Sequence, residues 1–155
     1  MTSRLDDSTI AALSTAPGPA GIAVVRLSGR NAFTIADALC GDSNSPPSTM
    51  DAGTFRLFHL RDPDDGSPID DAIVLAFRAP HSYTGEDVVE FQTHGGRISA
   101  MRVLKALVQC GANPAGPGDF SKRAFLNGRI DLSRAEAVLD IIGAQSERAG
   151  RAAAE

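Results

Sequence analysis

Pro80-His81-Ser82-Tyr83-Thr84-Gly85-Glu86-Asp87-Val88-Val89-Glu90-Phe91-Gln92-Thr93-His94-Gly95-Gly96 sets a polar loop, a strand bearing ionisable groups and a Gly-Gly turn in immediate succession. From Asp87 the residues alternate, so Val89, Phe91 and Thr93 fall on one face of a period-2 strand and Val88, Glu90, Gln92 and His94 on the other. One face is suited to packing, and the other can read a ligand. Gly95 and Gly96 lack side chains, so the backbone there can turn sharply and a ligand can come close to it.

Outward from this stretch, the chain alternates short β-like and helix-like segments. Ile10 to Leu13 and the β-branched run Ile22 to Ser28 read as strands flanking a Pro/Gly loop, the second of them buried. Arg30 to Leu39 carries Phe33, Ala36 and Leu39 at helical spacing, and the Ser/Pro-rich segment from Gly41 to Ser48 reads as a surface loop with nothing to bury. Thr54 to Leu60 and Ala72 to Phe77 flank Pro-, Asp- and Gly-rich turn residues and predict an antiparallel hairpin. A helix is predicted from Arg97 to Gln109 with Ala100, Met101, Leu104, Leu107 and Val108 on one face, stopped by Gly111. Asp119 is placed to cap a short helix through Leu126, ended by Asn127-Gly128. Ser133 and Glu136 form a capping-box pattern for a last helix, whose apolar stripe Ala135, Val138, Leu139, Ile142, Ser146 and Ala149 runs to Glu155 without a stop signal. That pattern reads as part of a longer protein whose next segment packs against the stripe.

With 155 residues of which 43% are hydrophobic, the chain can bury a single core. The net charge of -4 and the absence of a Lys/Arg run remove the electrostatic footprint of a dedicated nucleic-acid binder. Cys40 and Cys110 lie far apart without metal-ligand spacing and are expected to be reduced thiols. No apolar run approaches a membrane span and the N-terminal residues do not form a secretion signal, which predicts a cytoplasmic protein with no membrane partner.

Arg26 shares a strand face with Ile22 and Val24, and an unpaired cation among residues suited to burial is costly. Either something anionic sits over it, or it pairs with a carboxylate of the protein, of which Glu90 is the simplest candidate. His94 before Gly95-Gly96 lacks an accompanying Gly-x-Ser-x-Gly elbow, so it is expected to donate to a nearby carbonyl and order the turn rather than catalyse. Neither a Gly-x-x-x-x-Gly-Lys-Ser/Thr loop nor a Gly-x-Gly-x-x-Gly motif occurs. Lys122, Arg123 and Arg129 form a cationic cluster, read either as a solvated face or, through Arg129 in the link from Gly128 to Leu132, as a reach toward an anionic tail.

These segments resemble the N-terminal region of the tRNA-modification GTPase family MnmE, also called TrmE. The resemblance is carried by Thr9 to Ala12, Gly21 to Gly29, Ser82 to Glu90, His94 to Gly96, Pro117 to Gly128 and Asp131 to Ala137, in order along almost the whole chain. It implies an α+β fold, a mixed sheet with packed helices similar to the folate domain of glycine-cleavage aminomethyltransferases, followed by the first helix of a truncated helical domain. On that reading residues 1–118 are a folate-binding and dimerisation domain, residues 119–155 begin the helical domain, and the GTPase domain and a C-terminal Cys motif are absent. The resemblance implies a homodimer with 5-formyl-tetrahydrofolate or a related tetrahydrofolate near its interface, held by Arg26, Glu90 and Arg129. GTP, magnesium and potassium would belong only to the missing GTPase domain. The flavoprotein MnmG and tRNA would be partners of the full-length protein, which installs an aminomethyl-type group at C5 of the wobble uridine. This chain alone is expected to be inactive, with no catalytic residue and no metal ligand of its own.

Three departures bear on ligand affinity. Where the family usually reads Pro-Gly-Arg-Gly-Gly, this chain has Pro17-Gly18-Pro19-Ala20-Gly21, which removes a cation and stiffens the turn. Arg129 stands where the family usually has Lys, and Asp119 where it has Glu. The first of these motivates an alternative reading, an assembly domain that has lost folate binding. A stand-alone one-carbon transferase is a further alternative, for which no acid-base pair is visible.

Overall fold

A computed structural model describes residues 7–41 and 43–154, and within the last helix the side chains of Ala149 and Ala153 also lie outside the description. Six strands, β1 (Ile10–Leu13), β2 (Ile22–Ser28), β3 (Thr54–Arg61), β4 (Pro68–Phe77), β5 (Val88–His94) and β6 (Asn113–Pro114), form one sheet in the order β3-β4-β5-β2-β1-β6. All neighbours are antiparallel except β1 and β6. The fold is thus α+β with a mixed sheet, as the resemblance implies. Four helices accompany it: α1 (Ala32–Leu39), α2 (Arg97–Gln109), α3 (Asp119–Leu126) and α4 (Leu132–Ala154).

The alternation read from β5 decides the layering. Val89, Phe91 and Thr93 are buried and join Val25 and Leu27 of β2 and Val74 and Ala76 of β4 on one face, where α1 and α2 cover them. Phe33, Ile35 and Leu39 of α1 and Val103 and Leu107 of α2 complete this core. Each of these aliphatic or aromatic side chains contributes about 2 kcal/mol by leaving water, which fixes the strand register because a one-residue slip would expose the set. The opposite face carries Ile22, Val24, Arg26 and Ser28 of β2 and Glu90, Gln92 and His94 of β5. That face is open over β3, β4 and β5, leaving Phe55 72%, Leu57 58% and Ile22 56% exposed.

Several local expectations are corrected. β2 is buried along one face, while on the other Ser28 is buried, Val24 and Arg26 are half-buried and Ile22 is exposed. α1 begins at Ala32 rather than Arg30. The loop after α1 does bury something, because Pro47, which opens a 3-10 turn at Pro47–Thr49, is fully enclosed; Asp42 in that loop lies outside the described residues. α2 buries Ala100, Val103, Ala106 and Leu107 and leaves Met101 and Val108 exposed, so its core-facing stripe is rotated from the one expected. The cap of α3 is Gly118, in the left-handed region at φ 80, while Asp119 accepts a bond from the Gly116 N–H at 2.7 Å. α4 is capped by Asp131, whose Oδ1 accepts from the Arg134 N–H at 2.8 Å, so Ser133 lies inside the helix and the capping box does not form. The two-residue strand β6 was not foreseen.

Gly95 lacks a side chain for a reason other than ligand approach. Its N–H donates to the Gly21 carbonyl at 2.9 Å, and a Cβ there would stand 1.5 Å from the carbonyl oxygen of Ala20. The close neighbour is the protein's own backbone at the mouth of the β1–β2 connection. Gly95→Ala should therefore destabilise the chain by about 3 kcal/mol, the scale of a severe overpacking substitution, whereas Gly143→Ala, with open space around it, should not destabilise it; thermal melts of the two variants check this.

Candidate functional site

Arg26 and Glu90 are register partners across β2 and β5 on the face turned away from α1 and α2. The guanidinium Nε donates to Glu90 Oε1 at 2.9 Å, with side-chain exposures of 23% and 18%. The expected alternative, mutual pairing, is therefore present. It is incomplete, however: among the described residues the two terminal nitrogens of Arg26 and the second oxygen of Glu90 have no hydrogen-bond partner. A pair that still meets water contributes on the order of 1 kcal/mol or less to stability, so folding alone gives a weak reason for placing it in the sheet.

The guanidinium is enclosed by aromatic rings. Its central carbon lies 5.0 Å from the Tyr83 ring centre and 5.3 Å from that of Phe120. These three side chains help line a cavity of about 480 Å³ between the end of β1, the Ala115–Gly118 turn, α3 and the Val138 and Ile142 positions of α4. Nothing in the spacing had singled out Tyr83 or Phe120, because neither falls on a periodic face. The only available signal was their position within two of the longer motifs of the family resemblance.

Arg129 is held differently. It follows the Asn127-Gly128 stop of α3, and its Nε donates to the Ser82 carbonyl at 3.0 Å. Arg129 is exposed and does not line the cavity; it touches the Ser82–Gly85 loop, whose Tyr83 ring touches Arg26. The structure thus brings Arg26 and Glu90 into contact and leaves Arg129 joined to them only through the loop that carries Tyr83; of the three, Arg26 alone lines the cavity.

A polar network supports that loop. Ser28 Oγ bonds Glu86 Oε2 at 2.7 Å and shares a 2.7 Å bond with Thr84 Oγ1, while Arg123 donates from Nη1 to Glu86 Oε1 at 2.8 Å and from Nη2 to the Ser8 carbonyl at 2.9 Å. Arg123 is therefore a structural cation rather than part of a solvent-facing cluster with Lys122 and Arg129. Asn127 Nδ2 adds a bond to the Thr84 carbonyl at 2.8 Å.

His94 bonds a carboxylate instead of the expected carbonyl. Its Nδ1 donates to Asp70 Oδ1 at 2.7 Å and its backbone N–H to Asp70 Oδ2 at 2.9 Å. The bond to Asp70 raises the imidazole pKa above its ordinary 6.5, helped by the charges of Asp70 and Asp71. Burial disfavours the charged form of Asp70, but the bonds from the His94 ring and backbone outweigh it, leaving the carboxyl below its ordinary 3.8. Cys40 and Cys110 are both free thiols, and burial, with Asp37 nearby, pushes Cys40 up to about 12, so it is no nucleophile. Among the described residues no cluster of His, Cys, Asp and Glu could hold a metal ion, and no helix is long and apolar enough to cross a membrane.

A family model described as GTP-binding protein TrmE N-terminus matches residues 9–129. The chain belongs to the MnmE (TrmE) family. Among MnmE proteins named tRNA modification GTPase, that of Thermus thermophilus is 51% identical over 144 residues, covering 93% of this chain and 33% of that protein. The MnmE of Moorella thermoacetica is 49% identical over 143 residues, 92% of this chain and 31% of the relative, and that of Listeria innocua is 50% identical over 145 residues, 94% and 31%. The chain spans about a third of the length of these MnmE relatives. The matched span of the family model includes Arg26, Tyr83, Glu90, Phe120 and Arg129.

The His94–Asp70 pair gives a signed pH dependence. The raised His94 pKa stabilises the fold fully below 6.5 and is lost as pH rises through the folded value; the lowered Asp70 pKa stabilises fully above 3.8 and is lost as pH falls through its folded value. Between 3.8 and 6.5 both contributions are present. The melting-temperature gap between the wild type and His94→Gln should be widest in that window and narrow above neutrality, and a gap independent of pH would contradict the pairing.

Proposed function

We propose that this chain is the tetrahydrofolate-binding and dimer-forming module of a tRNA-modification GTPase, with a fold similar to the folate domain of glycine-cleavage aminomethyltransferases. The observation that supports it most is the half-satisfied Arg26–Glu90 pair, whose guanidinium helps line a cavity with aromatic walls while Glu90 stands behind it and is not a lining residue. The donor set fits a reduced pterin. A carboxylate accepts paired N–H bonds from an amino-pyrimidine edge, a neighbouring guanidinium donates to the ring carbonyl beside it, and aromatic rings suit the flat bicycle. Because Arg26 touches Glu90, both would serve the pterin end, leaving the exposed Arg129 for the anionic glutamate tail.

The open sheet face supports the dimer. Leu57 pairs with Ile73, and Ile73 with Gln92, in one row across β3, β4 and β5, while the adjacent row runs from Phe55 through Leu75 and Glu90 to Arg26. An exposed apolar row leading into the ligand pair is suited to a second copy of this chain, which would close over the ligand. In the full-length protein, the partners of this module would be MnmG and tRNA, and the product a C5-modified wobble uridine in a cytoplasmic enzyme; GTP with its magnesium and potassium would bind a separate domain. The Pro17–Ala20 departure lines a different groove, with Ile22, Arg97 and Met101, and so does not favour the reading in which folate binding has been lost.

Isothermal titration with 5-formyl-tetrahydrofolate tests this reading. The wild type should bind, and Glu90→Ala should weaken binding by about tenfold to a hundredfold, the worth of lost charge-assisted hydrogen bonds. In sedimentation the wild type should run as a dimer and Leu57→Glu as a monomer. A wild type that gives no heat at high micromolar ligand would overturn the folate reading, and one that sediments as a monomer would overturn the dimer.

A further inference from the structure

Arg26 and Arg129 are placed by different parts of the chain, one in the centre of the sheet and one after α3, yet a single short segment touches both. Tyr83 lays its ring beside the Arg26 guanidinium, 5.0 Å from centre to carbon, while the preceding carbonyl, that of Ser82, accepts the 3.0 Å bond from Arg129 Nε. The Tyr83 hydroxyl shares a 2.8 Å hydrogen bond with Ser121 on α3, so ring and hydroxyl are both engaged although the residue is 40% exposed. A half-exposed tyrosine normally keeps its hydroxyl in water; here the ring is fixed at both ends.

We propose that Tyr83 is the positioning residue of the cleft: it holds the Arg26 guanidinium in the plane in which its terminal nitrogens meet the ligand, and it keeps that group in register with Arg129. The proposal rests on the reading of the cavity as a folate site. The ring does the positioning, through a cation–π contact with one side of a guanidinium whose Nε is already committed to Glu90. The hydroxyl bond to Ser121 sets the ring's angle and is secondary. Removing the ring leaves Arg26 held by Glu90 and by the Phe120 ring alone, and loosens the segment that carries the Ser82 carbonyl, so both ends of the site lose definition together.

The chain contains one tyrosine, which makes its tyrosine signal a report from this position alone. The test is calorimetry with 5-formyl-tetrahydrofolate and with its analogue lacking the glutamate, combined with NMR of ring-labelled tyrosine. Tyr83→Leu should weaken folate binding by about tenfold, the worth of a partly exposed cation–π contact, and should reduce the preference for the glutamate-bearing ligand. Tyr83→Phe and Ser121→Ala should bind within about threefold of the wild type, since each removes only a neutral hydrogen bond. In the wild type, the single tyrosine ring signal should shift on ligand addition. Should Tyr83→Leu fail to fold, the ring shift and the two milder variants still decide. Wild-type binding with an unmoved tyrosine signal, or a folded Tyr83→Leu that binds and discriminates as the wild type does, would overturn the role of Tyr83 alone. A wild type that binds neither ligand would overturn the folate reading and this role with it.

Discussion

The register between β2 and β5 is the constraint on which the rest of this chain depends, and it brings Arg26 and Glu90 into contact. The two residues meet because β2 and β5 are antiparallel neighbours in a register that sets Arg26 opposite Glu90, and that register is enforced from the other face by Val25, Leu27, Val89 and Phe91 in the core. The core thus aligns the charged pair without touching it. One Nε–Oε1 bond holds the pair together and leaves hydrogen-bonding capacity on both partners. Complete neutralisation in a closed interior would have made it a scaffold element. A partly exposed pair whose guanidinium lines an aromatic-walled cavity is suited to hold a polar, planar ligand.

The cavity wall needs its own support, because the loop from Ser82 to Glu86 has no strand to anchor it. Ser28 reaches up from the sheet to Thr84 and Glu86, Arg123 reaches across from α3 to Glu86, and Asn127 takes the Thr84 carbonyl. These bonds tie loop, sheet and α3 together, so the position of Tyr83 over Arg26 is a consequence of polar contacts made by its neighbours. α4 closes another side of the cavity with Val138 and Ile142, and its Leu139 lies against Gly118, where a Cβ would come within 2.3 Å. The cavity and the placement of α4 therefore share one boundary.

Much of this was legible in residue patterns, and the failures have physical causes. β5 could be read because alternation is strict there and its two faces meet such different surroundings. The pairing of Arg26 and Glu90 was legible as one of two outcomes for charges among aliphatic residues, and the structure shows that one, through a single bond. The buried stripe of α2 was misplaced because Met101 and Val108 satisfy helical periodicity as well as Val103 and Ala106 do, and only the sheet decides which arc faces inward. The cap of α4 was misread because Asp131 precedes Ser133, and either can serve until the backbone is known. Arg123 could not be separated from Lys122 and Arg129 by sequence, since its partners Glu86 and Ser8 are distant along the chain. β6 is too short to carry a pattern.

The most direct measurement is a crystal structure of the chain grown with 5-formyl-tetrahydrofolate. The account predicts the pterin edge against the free oxygen of Glu90 and the terminal nitrogens of Arg26, with a second copy of the chain over the open sheet face. Ligand bound elsewhere, or an Arg26–Glu90 pair sealed from a cavity that stays filled with water alone, would contradict it.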